Sequence, residues 1–178
     1  MGLNKMLLDM DGVPMVRRAA LVAIEAGASP VVVVVGNDEQ QVRDALSGLD
    51  CTFAVNPDFT GPTSTSLHAG LRALDARVHA TIVMLADMVR ISSEMLRALI
   101  TSIETGDAPL AVSRYGDVLA PPLLFRRSLW LELLAWHGEG CGKAVVKVHQ
   151  HEALMHDWPA ESLRDIDTPD DYRELLAR

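Results

Sequence analysis

Apolar residues follow two rhythms along this chain. Short unbroken runs stand at residues 30–35 (PVVVVV), 52–55 (TFAV) and 80–87 (ATIVMLAD). Runs of that length suit strands covered on both faces by helices. Between them the apolar positions recur at helical spacing. Val16, Ala19, Ala20, Ala23 and Ile24 mark a helix over 15–26, opened by Pro14 and closed by Gly27 as a left-handed cap. Gly36-Asn37 turns into a second helix over 38–46 with Asn37 as N-cap. Leu67, Leu71 and Leu74 mark a third over 65–74, and Ser92 caps a fourth over 93–104 that Gly106 ends. Residues 109–112 read as a strand and Tyr115-Gly116-Asp117 as a turn. The two prolines in 121–125 restrict that extended piece to a sheet edge or a loop. Residues 128–136 and 143–149 read as helices around a glycine-rich loop at 137–142. Near the end Thr168, Pro169 and Asp171 form a helix start signal. Strands alternating with helices predict α/β architecture: one domain over 1–178, a three-layer α/β/α sandwich with a mostly parallel sheet.

Several polar residues sit where such a sheet would use them. Ligands of open α/β sheets lie beyond the carboxyl ends of the strands, and Asp87 closes the 80–87 run there. Asp87 either faces that crevice or only starts the following turn. Asp165 and Asp167, two apart in an extended segment, point to one side and either share a cation or serve turn and cap chemistry. Mg²⁺ is commonly held by one or two carboxylates plus substrate phosphates, so this inventory suits phosphate transfer. Lys5, the first lysine before Lys143, is a candidate phosphate contact or a solvated cation. Ser64, Thr65 and Ser66 open a helix whose free N–H groups either bind an anion or take a simple cap.

Other motifs carry less. GEGCGK at 138–143 falls one residue short of a phosphate loop, and Ala144 stands where a Mg²⁺-contacting hydroxyl is needed. It reads as a flexible loop over the site. His149, His151, Glu152 and His156 lack an ordered ligand spacing and read as surface residues. Cys141 has no activating partner in sequence.

Composition then removes whole classes. The 178 residues carry a formal net charge of −8, which repels nucleic-acid phosphate and argues against a DNA or RNA partner. No apolar run approaches the ~18 residues that cross a bilayer, and no signal peptide is visible. Two cysteines, Cys51 and Cys141, form no disulfide framework, so a reduced cytoplasmic protein is the default.

Five segments taken together carry a family resemblance. NKMLLDMDGVPMV (4–16), VVVVVGND (31–38), VNPDFTGPTSTSLHAGL (55–71), IVMLADM (82–88) and DIDTPDDY (165–172) occur in order across nearly the whole chain. They resemble the MobA-like NTP transferase superfamily, above all the molybdenum cofactor (molybdopterin) cytidylyltransferases. The resemblance implies a Rossmann-like mixed sheet of the nucleotide-diphospho-sugar transferase type. It also implies a first strand and a glycine-rich phosphate loop ahead of Lys5, so a longer natural chain is expected. By the same resemblance Asp87 binds the metal, with Asp165 or Asp167 as second contact, and Lys5 neutralises the triphosphate. Asn56, Ser66, Leu67 and Gly70 match the parts that hold base and ribose. The implied chemistry is Mg²⁺- or Mn²⁺-dependent transfer of a nucleotide, CMP favoured by SLHAG at 66–70, to a phosphorylated pterin-type acceptor. Transient contact with a molybdoenzyme is implied too. The alternatives are a different acceptor, or a non-catalytic nucleotide-binding accessory in molybdenum hydroxylase maturation.

Overall fold

The structure, a computed structural model, describes residues 4–140 and 142–163. Asp165, Asp167, the helix start at Thr168 and Cys141 lie outside them. The described chain opens with a 3₁₀ turn over Lys5–Leu7, in which the Asn4 side chain accepts the Met6 N–H at 3.0 Å. A small hairpin follows, β1 (Asp9–Met10) with β2 (Val13–Pro14). Asp11 and Gly12 both take left-handed φ, 56° and 85°, as a two-residue type I′ connection requires. The Asp9 carboxylate accepts the Gly12 N–H at 2.6 Å and fixes the turn.

Helix α1 (Met15–Glu25) buries Met15, Val16, Ala20 and Ala23 along one stripe, the spacing that its sequence predicts. Gly27 at φ +86° ends it in the left-handed region. Then β3 (Val32–Val35), α2 (Glu39–Ala45) and β4 (Thr52–Val55) form a βαβ unit, paired in parallel from Val32–Thr52 to Val35–Val55. Asp38, left-handed at φ 57°, stands at the start of α2 in place of the expected Asn37. After α3 (Thr63–Ala73) come β5 (Ala80–Val83), α4 (Ser93–Thr105), β6 (Leu110–Tyr115) and β7 (Val118–Arg126). Helices α5 (Trp130–Ala135) and α6 (Lys143–His149) and strand β8 (Leu154–Trp158) complete the described elements.

The larger sheet runs β5-β7-β6-β8, antiparallel at β5–β7 and β7–β6, parallel at β6–β8. Among the described residues it shares no ladder with β3–β4. Helices α3, α5 and α6 cover one face, where Leu67, Leu71, Leu123, Phe125, Leu133 and Val146 pack together. Helices α1 and α4 cover the other through Ala23, Met95, Leu96, Tyr115 and Ala120. The expected three-layer α/β/α sandwich is therefore present, around a mixed sheet.

Three elements differ from the sequence reading. The strand expected over 80–87 stops at Val83, where it pairs with Leu123. The next partners on β7 are Pro122 and Pro121, which have no N–H to offer, so the ladder ends. Those two prolines do not mark an edge or a loop either: β7 is a central strand between β5 and β6. They are tolerated because they fall at a bulge, where the register with β6 jumps from Val112–Leu123 to Arg114–Leu119. The buried Tyr115 hydroxyl donates to the Pro121 carbonyl at 3.0 Å across that bulge. The third element is β8, absent from the sequence reading. Its short alternation sits against β6, and the exposed Arg114–Asp157 pair bridges the two strands, Nη2 to Oδ2 at 2.8 Å.

The histidine cluster divides. His156 stacks on Trp158 and meets Ser102, whereas His149 lies between Glu132 of α5 and Glu152, at 2.9 and 3.3 Å. Hydrogen bonds first to Glu132 and then to Glu152 push the His149 pKa above its ordinary value. A histidine raised in the folded state stabilises most below its unfolded pKa, about 6.5, and the gain fades as pH rises through the folded value. Wild type should therefore exceed His149→Gln in melting temperature most near pH 5–6, with the gap narrowing toward pH 8. Parallel pH series of thermal melts would check this.

Candidate active site

Strand ends set the site. Parallel pairing brings the carboxyl ends of β3 and β4 side by side at Val35 and Val55, followed by Gly36 and Asn56. Beyond Val83 the chain leaves the sheet and turns through Asp87. There the Asp87 carboxylate meets the Lys5 ammonium, Nζ to Oδ2 at 2.6 Å, across 82 positions of sequence. Apolar packing backs this contact: Met10, Met15 and Val89 form a buried cluster that Met6 and Leu8 flank. Met6 and Leu7 also pack on the cluster of Val35 and Val42, which sets Lys5 near the end of β3. The Lys5 side chain is 33% exposed and that of Asp87 15%. The pair is partly buried, and Lys5 is its more exposed member.

The second part of the site is built on Asn56, which is 3% exposed. Its amide N–H₂ contacts Thr65 Oγ1 at 2.9 Å, Ser66 Oγ at 3.0 Å and the Asp58 carbonyl at 3.3 Å. Its carbonyl accepts the Asp58 N–H at 3.0 Å. Asn56 thus ties the end of β4, the 57–62 loop and the first turn of α3 together. It positions Ser66 rather than standing open to a ligand. Leu67 is buried in the core under α3, and Gly70 lets α3 approach β3, since a Cβ there would lie 3.1 Å from Val34 Cγ2. His68 also points inward, with Nε2 3.1 Å from the Leu133 carbonyl. Of the SLHAG side chains, only Ser66 is left as a polar group beside the strand ends.

Two features escape sequence reasoning. The loop expected to be flexible is pinned to α3. The Gly138 N–H donates to Ser64 Oγ at 3.0 Å, the Ser64 N–H donates to the Gly138 carbonyl at 3.2 Å, and Glu139 accepts the Thr63 N–H at 3.4 Å. Ser64 therefore anchors a loop instead of capping its own helix, and a carboxylate from 76 residues away does the capping. Phe59 is the other feature. Half exposed, it lies over Gly36 so closely that any Cβ at position 36 would collide with it. An exposed aromatic two residues after a Pro is the only trace of this in the sequence.

Among the described residues no group of three or more His, Cys, Asp or Glu is placed to hold a metal ion. Lys5, Asp87 and Ser66 are brought to the carboxyl ends of the strands, Asn56 stands behind them, and Leu67 and Gly70 serve packing.

An NTP-binding class of transferase is what this fold and crevice define. The MobA-like NTP transferase domain matches residues 1–154, and the chain belongs to that family of nucleotidyltransferases. It is 28% identical, over 98% of its length and 89% of the other, to a protein of Natronomonas pharaonis named "Probable molybdenum cofactor guanylyltransferase". It is also 31% identical to the bifunctional protein GlmU of Geobacter sulfurreducens over 62% of this chain, which spans 23% of that longer protein. Among solved structures, Rv0371c of Mycobacterium tuberculosis H37Rv superposes with a TM-score of 0.87 at 25% identity, covering 100% of this chain and 91% of that one. The same mycobacterial protein in complex with manganese gives a TM-score of 0.75 at 27% identity, over 99% and 94%.

Asn56→Ala should strand the hydroxyls of Thr65 and Ser66 and the backbone of Asp58, at a cost of about 1–3 kcal/mol. Urea unfolding of wild type and variant measures it. A loss well below that range would show that Asn56 is not the tie.

Proposed function

We propose that this chain, acting as one nucleotidyltransferase domain in the cytoplasm, transfers a nucleoside monophosphate from an NTP to a phosphorylated pterin-type acceptor of molybdenum cofactor synthesis. The observation that carries the reading is the Lys5–Asp87 pair at the strand ends, an exchangeable cation and carboxylate beside the Asn56–Ser66 tie. Lys5 leaves Asp87 for the triphosphate and neutralises part of its charge. Asp87, freed, would hold Mg²⁺ or Mn²⁺ with Asp165 or Asp167, and the ion would stabilise charge on the phosphates and the departing pyrophosphate. The strand ends and the first turn of α3 orient the nucleoside through Ser66, with Asn56 fixing that turn. With no activated nucleophile required, positioning and electrostatics account for the catalysis. Transient delivery to a molybdoenzyme belongs to the same reading.

The base remains CTP in this reading, on the resemblance of SLHAG at 66–70 to the cytidylyl members. A second reading, GTP, is favoured by the name of the Natronomonas pharaonis relative. Competition among the four NTPs, measured by calorimetry, separates them: CTP strongest supports the first, GTP strongest the second, and equal affinities overturn both.

Asp87→Ala should abolish metal-dependent NTP binding while the melting temperature stays within a few degrees of wild type. Titrations with CTP and with GTP, each with and without Mg²⁺, would check this. Unchanged affinity with lowered stability would make Asp87 a turn residue and sink the proposal.

A further inference from the structure

Phe59 is the most exposed of the described Phe, Tyr and Trp side chains, at 52%. A single exposed apolar residue is ordinary on a protein surface. Phe59 differs because its surroundings fix its position. A Cβ built on Gly36 would overlap Phe59 Cβ and stand 2.8 Å from its Cγ, so glycine at 36 is what lets the side chain rest on the end of β3. The peptide that joins Asp58 to Phe59 is held through its carbonyl. That oxygen accepts the Gly61 N–H at 3.1 Å, the Thr65 hydroxyl at 2.9 Å and the Asn56 amide at 3.3 Å. The Asp58 N–H in turn donates to Asn56 Oδ1 at 3.0 Å. Phe59 therefore stands on a short, closed loop, with its inner edge on backbone and half of its surface open.

The open ring belongs to the strand-end crevice. Gly36 directly follows β3, and the Asn56 N–H after β4 donates to the Val35 carbonyl at 2.7 Å, so the two positions are side by side. The same Asn56 reaches Ser66 Oγ in the first turn of α3 through its side-chain amide, at 3.0 Å. Met6 and Leu7, next to Lys5, pack on the cluster that holds Val35. The ring thus shares the end of β3 with the segment that carries Lys5. We propose that Phe59 is the stacking platform for the nucleobase. Its flat face takes the base by dispersion and π contact, which needs no cation and suits a chain of net charge −8.

This role rests on the nucleotidyl-transfer reading and sharpens it. Every base presents a π face, so stacking alone does not choose among bases. Phe59 sets how tightly the nucleoside is held and in which plane its base lies. The choice between CTP and GTP falls to hydrogen-bonding groups other than this ring. Asn56 fixes both the Asp58–Phe59 peptide and, through Ser66, the first turn of α3, so ring and helix start keep one relative position. A ring placed in advance loses little freedom on binding, which is where a rigid aromatic gains over a flexible side chain.

Calorimetry on the full chain with Mg²⁺ compares CTP, GTP and inorganic triphosphate, which has no base. Phe59→Ala should bind CTP and GTP about 5- to 150-fold more weakly than wild type, by a similar factor for both, as for the loss of one base–aromatic stack. Its affinity for inorganic triphosphate should equal that of wild type. Phe59→Trp should recover NTP binding, whereas Phe59→Leu, apolar but not flat, should not. Unchanged NTP affinity in Phe59→Ala, an equal loss for triphosphate and NTPs, or full recovery with leucine would each overturn the stacking role. A wild-type chain that binds inorganic triphosphate as tightly as CTP and GTP would overturn it too, and would leave the phosphate contacts of Lys5 and Asp87 standing. Wild type that binds none of the three would overturn the stacking role together with the nucleotidyl-transfer reading beneath it.

Discussion

The absence of an N–H on Pro121 and Pro122 shapes the site more than any single contact does. Because β7 cannot donate at those positions, its ladder with β5 ends at Val83–Leu123. Residues 84–87 then leave the sheet plane, and Asp87 comes to Lys5 instead of ending a long strand. The same prolines force the register jump against β6, and Tyr115 closes that bulge through the Pro121 carbonyl. Where β5 stops pairing, its partner strand carries on past it toward Leu119. One missing donor pair thus separates the carboxylate from the sheet and lets β7 run on past the end of β5.

Around that rim, charge and polarity are rationed. The chain is acidic overall, and one of its three lysines, Lys5, meets Asp87 at that rim. Lys5 meets the Asp87 carboxylate in a partly buried pair and is the more exposed of the two. The opposite economy governs Asn56. Buried at 3% exposure, it must satisfy its amide internally, and it does so by joining three segments at once. Rigidity therefore sits under the crevice and exchangeable charge at its mouth. That is the order a transferase needs when positioning supplies most of its catalysis.

Local pattern determined the helices and the strands at β3 and β4. Helical periodicity and caps act within a few residues, as Val16, Ala20 and Ala23 in α1 and Ser92 before α4 show. Lys5 was legible as a candidate from residue type and from the family resemblance, Asp87 from its place at the end of an apolar run, and the five ordered segments pointed to the family. The sequence by itself could not say that Lys5 and Asp87 touch, since 82 residues separate them. Nor could it show that Ser64 anchors a loop, that Leu67 and Gly70 pack inward, or that a segment with two prolines lies at the centre of a sheet. Each depends on which element arrives opposite: Gly138 for Ser64, Val34 for Gly70, and the bulge against β6 for Pro121 and Pro122. A hydrogen bond or a van der Waals gap is decided by both partners, and sequence near one of them carries no record of the other.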